Sequence, residues 1–240
     1  MRKLIIVWCA ALCAGLATVT SAHRLANGDY VTVSELRQRF DLGHGGTDSG
    51  TRGAHVREKE MTLALAKQLE LILTAHGFQV HLTRTTDHTV ALEKRAEFCR
   101  RVKADLFVSL HFNAGGAAEG IETYCLTTEG VASTARTRSN SHTGGHSAGN
   151  QFDEANVWLA HCVQRALIGD TQAEDRGVRR ARFEVLRDAS CPAVLVEGGF
   201  LSNAGEEQKV LRADYREKLA HAIAEGIVSY QEHNHGGSHE

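Results

Sequence analysis

Two histidines and two glutamates stand in segments that a fold could bring to one place: His44, Glu58, His111 and Glu197. Two imidazoles and one carboxylate make an open zinc shell, with three protein ligands and a fourth position for water. A zinc ion (Zn2+) in such a shell lowers the pKa of that water towards ~7, and a second carboxylate nearby can take its proton and pass it to a leaving amine. His44, Glu58 and His111 are the candidate metal ligands, and Glu197 the candidate acid and base. His44 lies in F-D-L-G-H-G-G (residues 40–46), where flanking glycines let the backbone turn sharply and approach a bound ion. Glu58 opens a helix-like stretch, where the helix dipole favours a carboxylate; that dipole alone would also account for it. His111 equally fits a histidine that only hydrogen-bonds a strand end. Glu197 is harder to place without a site. An acid straight after Ala-Val-Leu-Val is costly to bury unless it is paired or ligating.

The elements that must position these residues are legible in outline. Residues 58–74 form the clearest helix: Met61, Leu65 and Leu69 repeat at four-residue spacing with Ala64, Ile72 and Leu73 beside them, and Gly77 closes it. Residues 92–102, 156–168 (Leu159, Val163 and Leu167 on one side) and 214–230 read as further helices. Strand-like runs fall at 78–82, 105–110, 121–126 and 193–196. Residues 31–40 make a poor strand for a buried sheet, because Glu35, Arg37 and Arg39 are charged. The alternation implies an α/β fold, a three-layer sandwich with a mostly parallel central sheet flanked by helices. Ligand sites of such sheets lie beyond the carboxyl ends of the strands. His44, His111 and Glu197 each follow directly on a strand candidate, which places them together.

A chain of 240 residues, 42% hydrophobic, suffices for one sizeable core. A formal charge of -2 with 23% charged residues argues against a nucleic-acid partner. Met1-Arg2-Lys3, an apolar run over 4–19 and Thr20-Ser21-Ala22 have the form of a cleaved signal peptide spanning residues 1–22. Residues 23–35 are a lead-in, 36–230 the main domain, 127–150 a long polar loop, and 231–240 a tail with His233, His235 and His239, expected to be a disordered end rather than a metal site. Cleavage after Ala22 removes Cys9 and Cys13 and leaves Cys99, Cys125, Cys162 and Cys191, for which three pairings exist. No C-x-x-C is present, and this spacing argues against a structural zinc ribbon. Cys99 and Cys162 read as small buried hydrophobes, and no bridge is expected.

Four blocks, in order, carry a resemblance: D-L-G-H-G-G-T-D-S-G (41–50), R-E-K-E (57–60), F-V-S-L-H-F-N-A (107–114) and A-V-L-V-E-G-G-F-L-S-N (193–203). With L-T-R-T-T-D (82–87) and R-G-V-R-R-A-R-F-E-V-L-R (176–187), they resemble the zinc-dependent N-acetylmuramoyl-L-alanine amidases of the bacterial cell-wall hydrolases (amidase type 3), over about residues 36–230. The resemblance implies Zn2+ on His44, Glu58 and His111, and Glu197 as the catalytic carboxylate. It implies cleavage of the amide between N-acetylmuramic acid and L-alanine in peptidoglycan, by a periplasmic or secreted enzyme. It is compatible with an activator protein as partner and with a monomer. The strand before His44 is more charged than is usual there, and Leu42 stands where proline or alanine is common; neither touches a ligand. Some members carry a site-blocking segment where 127–150 lies, so a plug and a plain flexible loop are both open. Two other readings share these residues: another zinc amidohydrolase or peptidase acting on cell-wall peptides, and a non-catalytic peptidoglycan-binding protein.

Overall fold

Six strands build the sheet that carries His111 and Glu197 and leads into His44. The computed structural model describes residues 22–24, 30–32, 37–134 and 144–236. The leader expected over residues 1–22 therefore lies outside the described residues except for Ala22, as do 135–143 of the polar loop and 237–240 of the tail. A small antiparallel pair, β1 (Ala22–Arg24) and β2 (Tyr30–Thr32), precedes the main body. The main sheet comprises β3 (Arg37–Leu42), β4 (Gln79–Leu82), β5 (Leu106–Asn113), β6 (Ile121–Leu126), β7 (Asp175–Ala181) and β8 (Ala193–Phe200). Their spatial order is β4-β3-β5-β8-β6-β7. The first four run parallel, while β6 is antiparallel to β8 and carries β7 parallel to itself.

The helices are α1 (Glu58–Ala75), α2 (Leu92–Val102), α3 (Asp153–Thr171), α4 (Glu184–Arg187), α5 (Ala204–Leu211) and α6 (Ala213–Gly236). Alternation along the central strands sorts the core into two layers. Val108, Leu110 and Phe112 of β5 with Val194 and Val196 of β8 meet Leu65, Leu69 and Leu73 of α1 and the buried faces of α3 and α6. Phe107, Ala193 and Leu195 point the other way, into a smaller cluster with Cys99 of α2 and Val185 and Leu186 of α4. Both faces of β5 and β8 are therefore covered, which is why these strands read as unbroken apolar runs. Each wholly buried leucine on α1 contributes about 1.5–3 kcal/mol of transfer free energy.

The expected three-layer α/β sandwich is what forms, with differences that have local causes. β5 and β8 do not stop at their apolar runs; their pairing with each other carries them on to Asn113 and Phe200. His111 and Glu197 thus lie inside strands rather than just after them, and only His44 follows its strand. β7 was not legible because four of its seven residues are charged. As the edge strand it pairs on one side only, and of its residues Ala181 alone is buried. α5 was also missed, although Asn203 is a capping signal: its side chain accepts from the N–H of Gly205 and Glu206. α6 runs on to Gly236, so the first part of the tail is helix and not a disordered end; His233 packs its ring on Trp158, 4.7 Å between centroids.

The direction of β6 decides where the polar loop goes. Glu122 pairs with Glu197, and β6 then runs back towards the start of β8, so residue 127 emerges at the end of the sheet opposite to His111 and Glu197. The return is anchored there too: Asn150 donates to the Thr127 carbonyl, Thr134 N–H to Arg180 O, and Arg182 to Thr128 O. Both described flanks of the loop thus leave the sheet at the end away from His111 and Glu197.

Candidate metal centre

His44, Glu58 and His111 come from three different elements and converge. His44 sits two residues beyond β3 in the left-handed region, φ 62°, a conformation costly for a residue with a Cβ and typical of functional turns. Glu58 is the first residue of α1, and His111 projects from the carboxyl-terminal half of β5. One potential ligand atom from each lies within 4.8 Å of the others. Glu58 Oε2 is 3.0 Å from His44 Nε2, and its Oε1 is 2.8 Å from His111 Nδ1. Close approach of backbone makes this possible. A Cβ on Gly43 would lie 2.3 Å from His111 Cε1, and one on Gly50 would lie 2.5 Å from Glu58 Oε2.

The electrostatics favour ionised Glu58. Burial alone would raise its carboxyl, but hydrogen bonds from His111 and His44 and their charges hold it well below the usual carboxylate range. Its oxygens also accept from the N–H of Thr51 and Phe112. For His44, burial works downward and is outweighed by Glu58 and Asp48, so its imidazole is shifted up. Asp48 Oδ2 lies 2.8 Å from His44 Nδ1 and so leaves Nε2 facing Glu58. Two imidazole nitrogens and a carboxylate oxygen converging from a buried base are the donor set of a divalent-metal site, and zinc suits N/O shells of this kind.

Glu197 stands beside this cluster. It pairs in register with His111 on one side and Glu122 on the other, so the three side chains form a row across β5, β8 and β6. It is 9% exposed, and its Oε2 is buried without a hydrogen-bond partner. Burial pushes its carboxyl well above the ordinary range, and the Glu58 and Glu122 charges add to that. Glu122, in contrast, is fully engaged: Asn113 and the Tyr124 hydroxyl donate to Oε1, Arg176 and Arg179 to Oε2.

Supporting residues were less legible in the sequence. Arg95 of α2, 3% exposed, donates to Asp41 Oδ1 and to the carbonyls of Val90, Leu42 and His44. Arg84, equally buried, donates to Gly43 O, Lys59 O and Thr62 Oγ1. Glu207 of α5 accepts from His55 and Val56 N–H and so fixes the loop leading into Glu58. Glu122 carried a usable signal, the same one as Glu197: an acid in an otherwise apolar strand.

A family model described as N-acetylmuramoyl-L-alanine amidase matches residues 40–229 of this chain. The amidase LytC of Bacillus subtilis (strain 168) is 35% identical over 193 residues, covering 80% of this chain; the match spans only 34% of that longer protein. The crystal structure of an N-acetylmuramoyl-L-alanine amidase from Clostridium difficile 630 superposes with a TM-score of 0.70 at 33% identity, covering 82% of this chain and 97% of that one. The CwlD amidase of Clostridioides difficile, solved in complex with the GerS lipoprotein, gives 0.69 at 26% identity, with 82% and 98% covered.

Proposed function

The chain belongs to the N-acetylmuramoyl-L-alanine amidase family, and from that premise we propose that it is a zinc-dependent hydrolase cleaving the amide between N-acetylmuramic acid and L-alanine in peptidoglycan. The observation that carries this reading is the cluster of His44, Glu58 and His111 within 4.8 Å, beside a buried carboxyl at Glu197 whose Oε2 has no hydrogen-bond partner among the described residues.

His44 Nε2, one Glu58 oxygen and His111 Nδ1 would hold the ion. When bound, zinc polarises the scissile carbonyl and activates water at neutral pH. Asp48 holds the His44 ring in the orientation that presents Nε2. The Glu197 carboxyl, raised by burial, takes the proton released by the attacking water and delivers it to the departing alanine nitrogen. Glu122 does not share that task, since both its oxygens are occupied by donors.

A substrate outside the cytoplasmic membrane requires export, and residues 1–22 supply the expected signal; among the described residues, no helix is long and apolar enough to cross a membrane. The amino terminus of the exported protein should then be His23. An activator protein is the partner class this reading allows; the CwlD amidase, for comparison, was solved in complex with the GerS lipoprotein.

Digestion of purified peptidoglycan with and without a chelator tests the reading. Mass analysis should find stem peptides with a free amino-terminal L-alanine and an intact glycan, lost with chelator and restored by zinc. Cleavage within the stem peptide, or release that a chelator leaves untouched, would refute it.

A further inference from the structure

Two cysteines from distant parts of the chain meet beneath the site. Cys99 Sγ, on α2, lies 3.2 Å from Cys191 Sγ, two residues before β8. A disulfide has its sulfurs ~2.05 Å apart, so a closure of little more than 1 Å would join them. Cys99 is 0% and Cys191 3% exposed, in the smaller core cluster between α2, α4 and the sheet. Among the described residues no comparable sulfur pair involves the other two cysteines. Cys125 Sγ instead donates to the Arg179 carbonyl, and Cys162 is buried on α3 in the other core layer.

We propose that Cys99 and Cys191 form a disulfide that staples α2 to the entry of β8. The two ends of that staple are placed to matter. Cys99 is one helical turn after Arg95, whose guanidinium holds the Leu42 and His44 carbonyls. Cys191 is followed by Pro192, whose carbonyl takes the N–H of Phe107, and then by the strand that carries Glu197. The bond therefore fixes the helix that supports one side of the metal centre against the strand that supplies the other.

The chemistry needs an external disulfide, such as that of a thiol–disulfide oxidoreductase. One cysteine thiolate attacks it and forms a mixed disulfide; the second displaces the oxidant's sulfur. Two protons and two electrons leave the cysteine pair, and the oxidant's disulfide becomes two thiols. Because both sulfurs are buried in the folded chain, exchange takes place before α2 docks, and the finished bond is shielded from reductants. Export would supply the oxidant in the cell, but the geometry stands whether or not the proposed function does.

The chain from His23 onward, which lacks the leader and stays in the cytoplasm, tests this without reliance on export when expressed in a host with an oxidising cytoplasm and in its reducing parent. Soluble protein from each is unfolded in iodoacetamide without reductant, digested and mapped by mass spectrometry. The oxidising host should yield a cross-linked peptide joining Cys99 to Cys191, absent from the reducing host. Alkylation of both cysteines in the oxidised sample, or their pairing with Cys125 or Cys162, would overturn the proposal. The oxidised protein should also melt about 10 °C above the reduced one, given a closed loop of roughly ninety residues. That difference should vanish in Cys99→Ala/Cys191→Ala, and its persistence there would assign it to another cause and sink the staple.

Discussion

Replacing Arg95 with methionine removes the cation but keeps much of the apolar stem, and its cost can be worked from the contacts. Arg95 Nη1 is 2.9 Å from Asp41 Oδ1 and 2.8 Å from Leu42 O; Nη2 is 3.2 Å from His44 O. Asp41 is 0% exposed, and Ser109 Oγ at 2.8 Å is the other side chain that donates to it. The variant therefore strands a buried carboxylate, a loss of about 3–5 kcal/mol. Against a domain stability of about 5–15 kcal/mol this is severe, and the melting midpoint should fall by about 10 °C. His44, held at φ 62°, also loses the donor on its carbonyl, so zinc affinity of the folded fraction should fall about 10–100-fold. Circular dichroism melts and a competitive zinc titration at low temperature measure the two effects separately. In an Asp41→Asn background the stability penalty should shrink by about 2 kcal/mol or more, because no buried charge is left behind. A variant that melts within about 2 °C of the parent, or a penalty unchanged by Asp41→Asn, would refute the reasoning.

Glu197→Gln should retain zinc and lower turnover about 10²–10⁴-fold; near-normal rates of peptide release would remove Glu197 from proton transfer. The same variant should be the more stable protein at neutral pH. A carboxyl whose folded pKa is raised binds its proton more tightly when folded, so the contribution of Glu197 to stability declines as pH rises above about 4.5, and glutamine removes that decline. A difference in urea midpoint between wild type and variant that is the same at pH 4 and 7.5 would contradict this. Asp48→Asn should weaken zinc binding about 10–100-fold with little change in melting temperature, and unchanged affinity would show that the His44 ring needs no such orientation. Replacing residues 135–143 with a short glycine-serine linker should leave peptidoglycan cleavage unchanged, since both flanks are anchored at the far end of the sheet. A rise of tenfold or more would reinstate a plug.

The sequence by itself determined the chemistry available and the class of fold. Glycines around His44 can be read locally, because close backbone approach demands a missing Cβ there. The four-residue spacing on α1 and the apolar runs of β5, β6 and β8 are also local, since burial on one or two faces imprints itself on neighbouring positions. Even the cost of an acid in a buried strand pointed to Glu197. Tertiary structure alone decided what those residues lean on. Arg95 reaches Asp41 across 54 positions, and Glu207 reaches Val56 across 151; no periodic pattern spans such separations. Strand order set the rest. The antiparallel turn of β6 sends the polar loop away from the site and lines Glu122 up with Glu197, and the edge position of β7 let a run of arginines be a strand. Cys99 and Cys191 meet because α2 docks over the entry to β8. Partners of this kind depend on which strand lies next to which, and that follows from packing the whole core rather than from any segment of it.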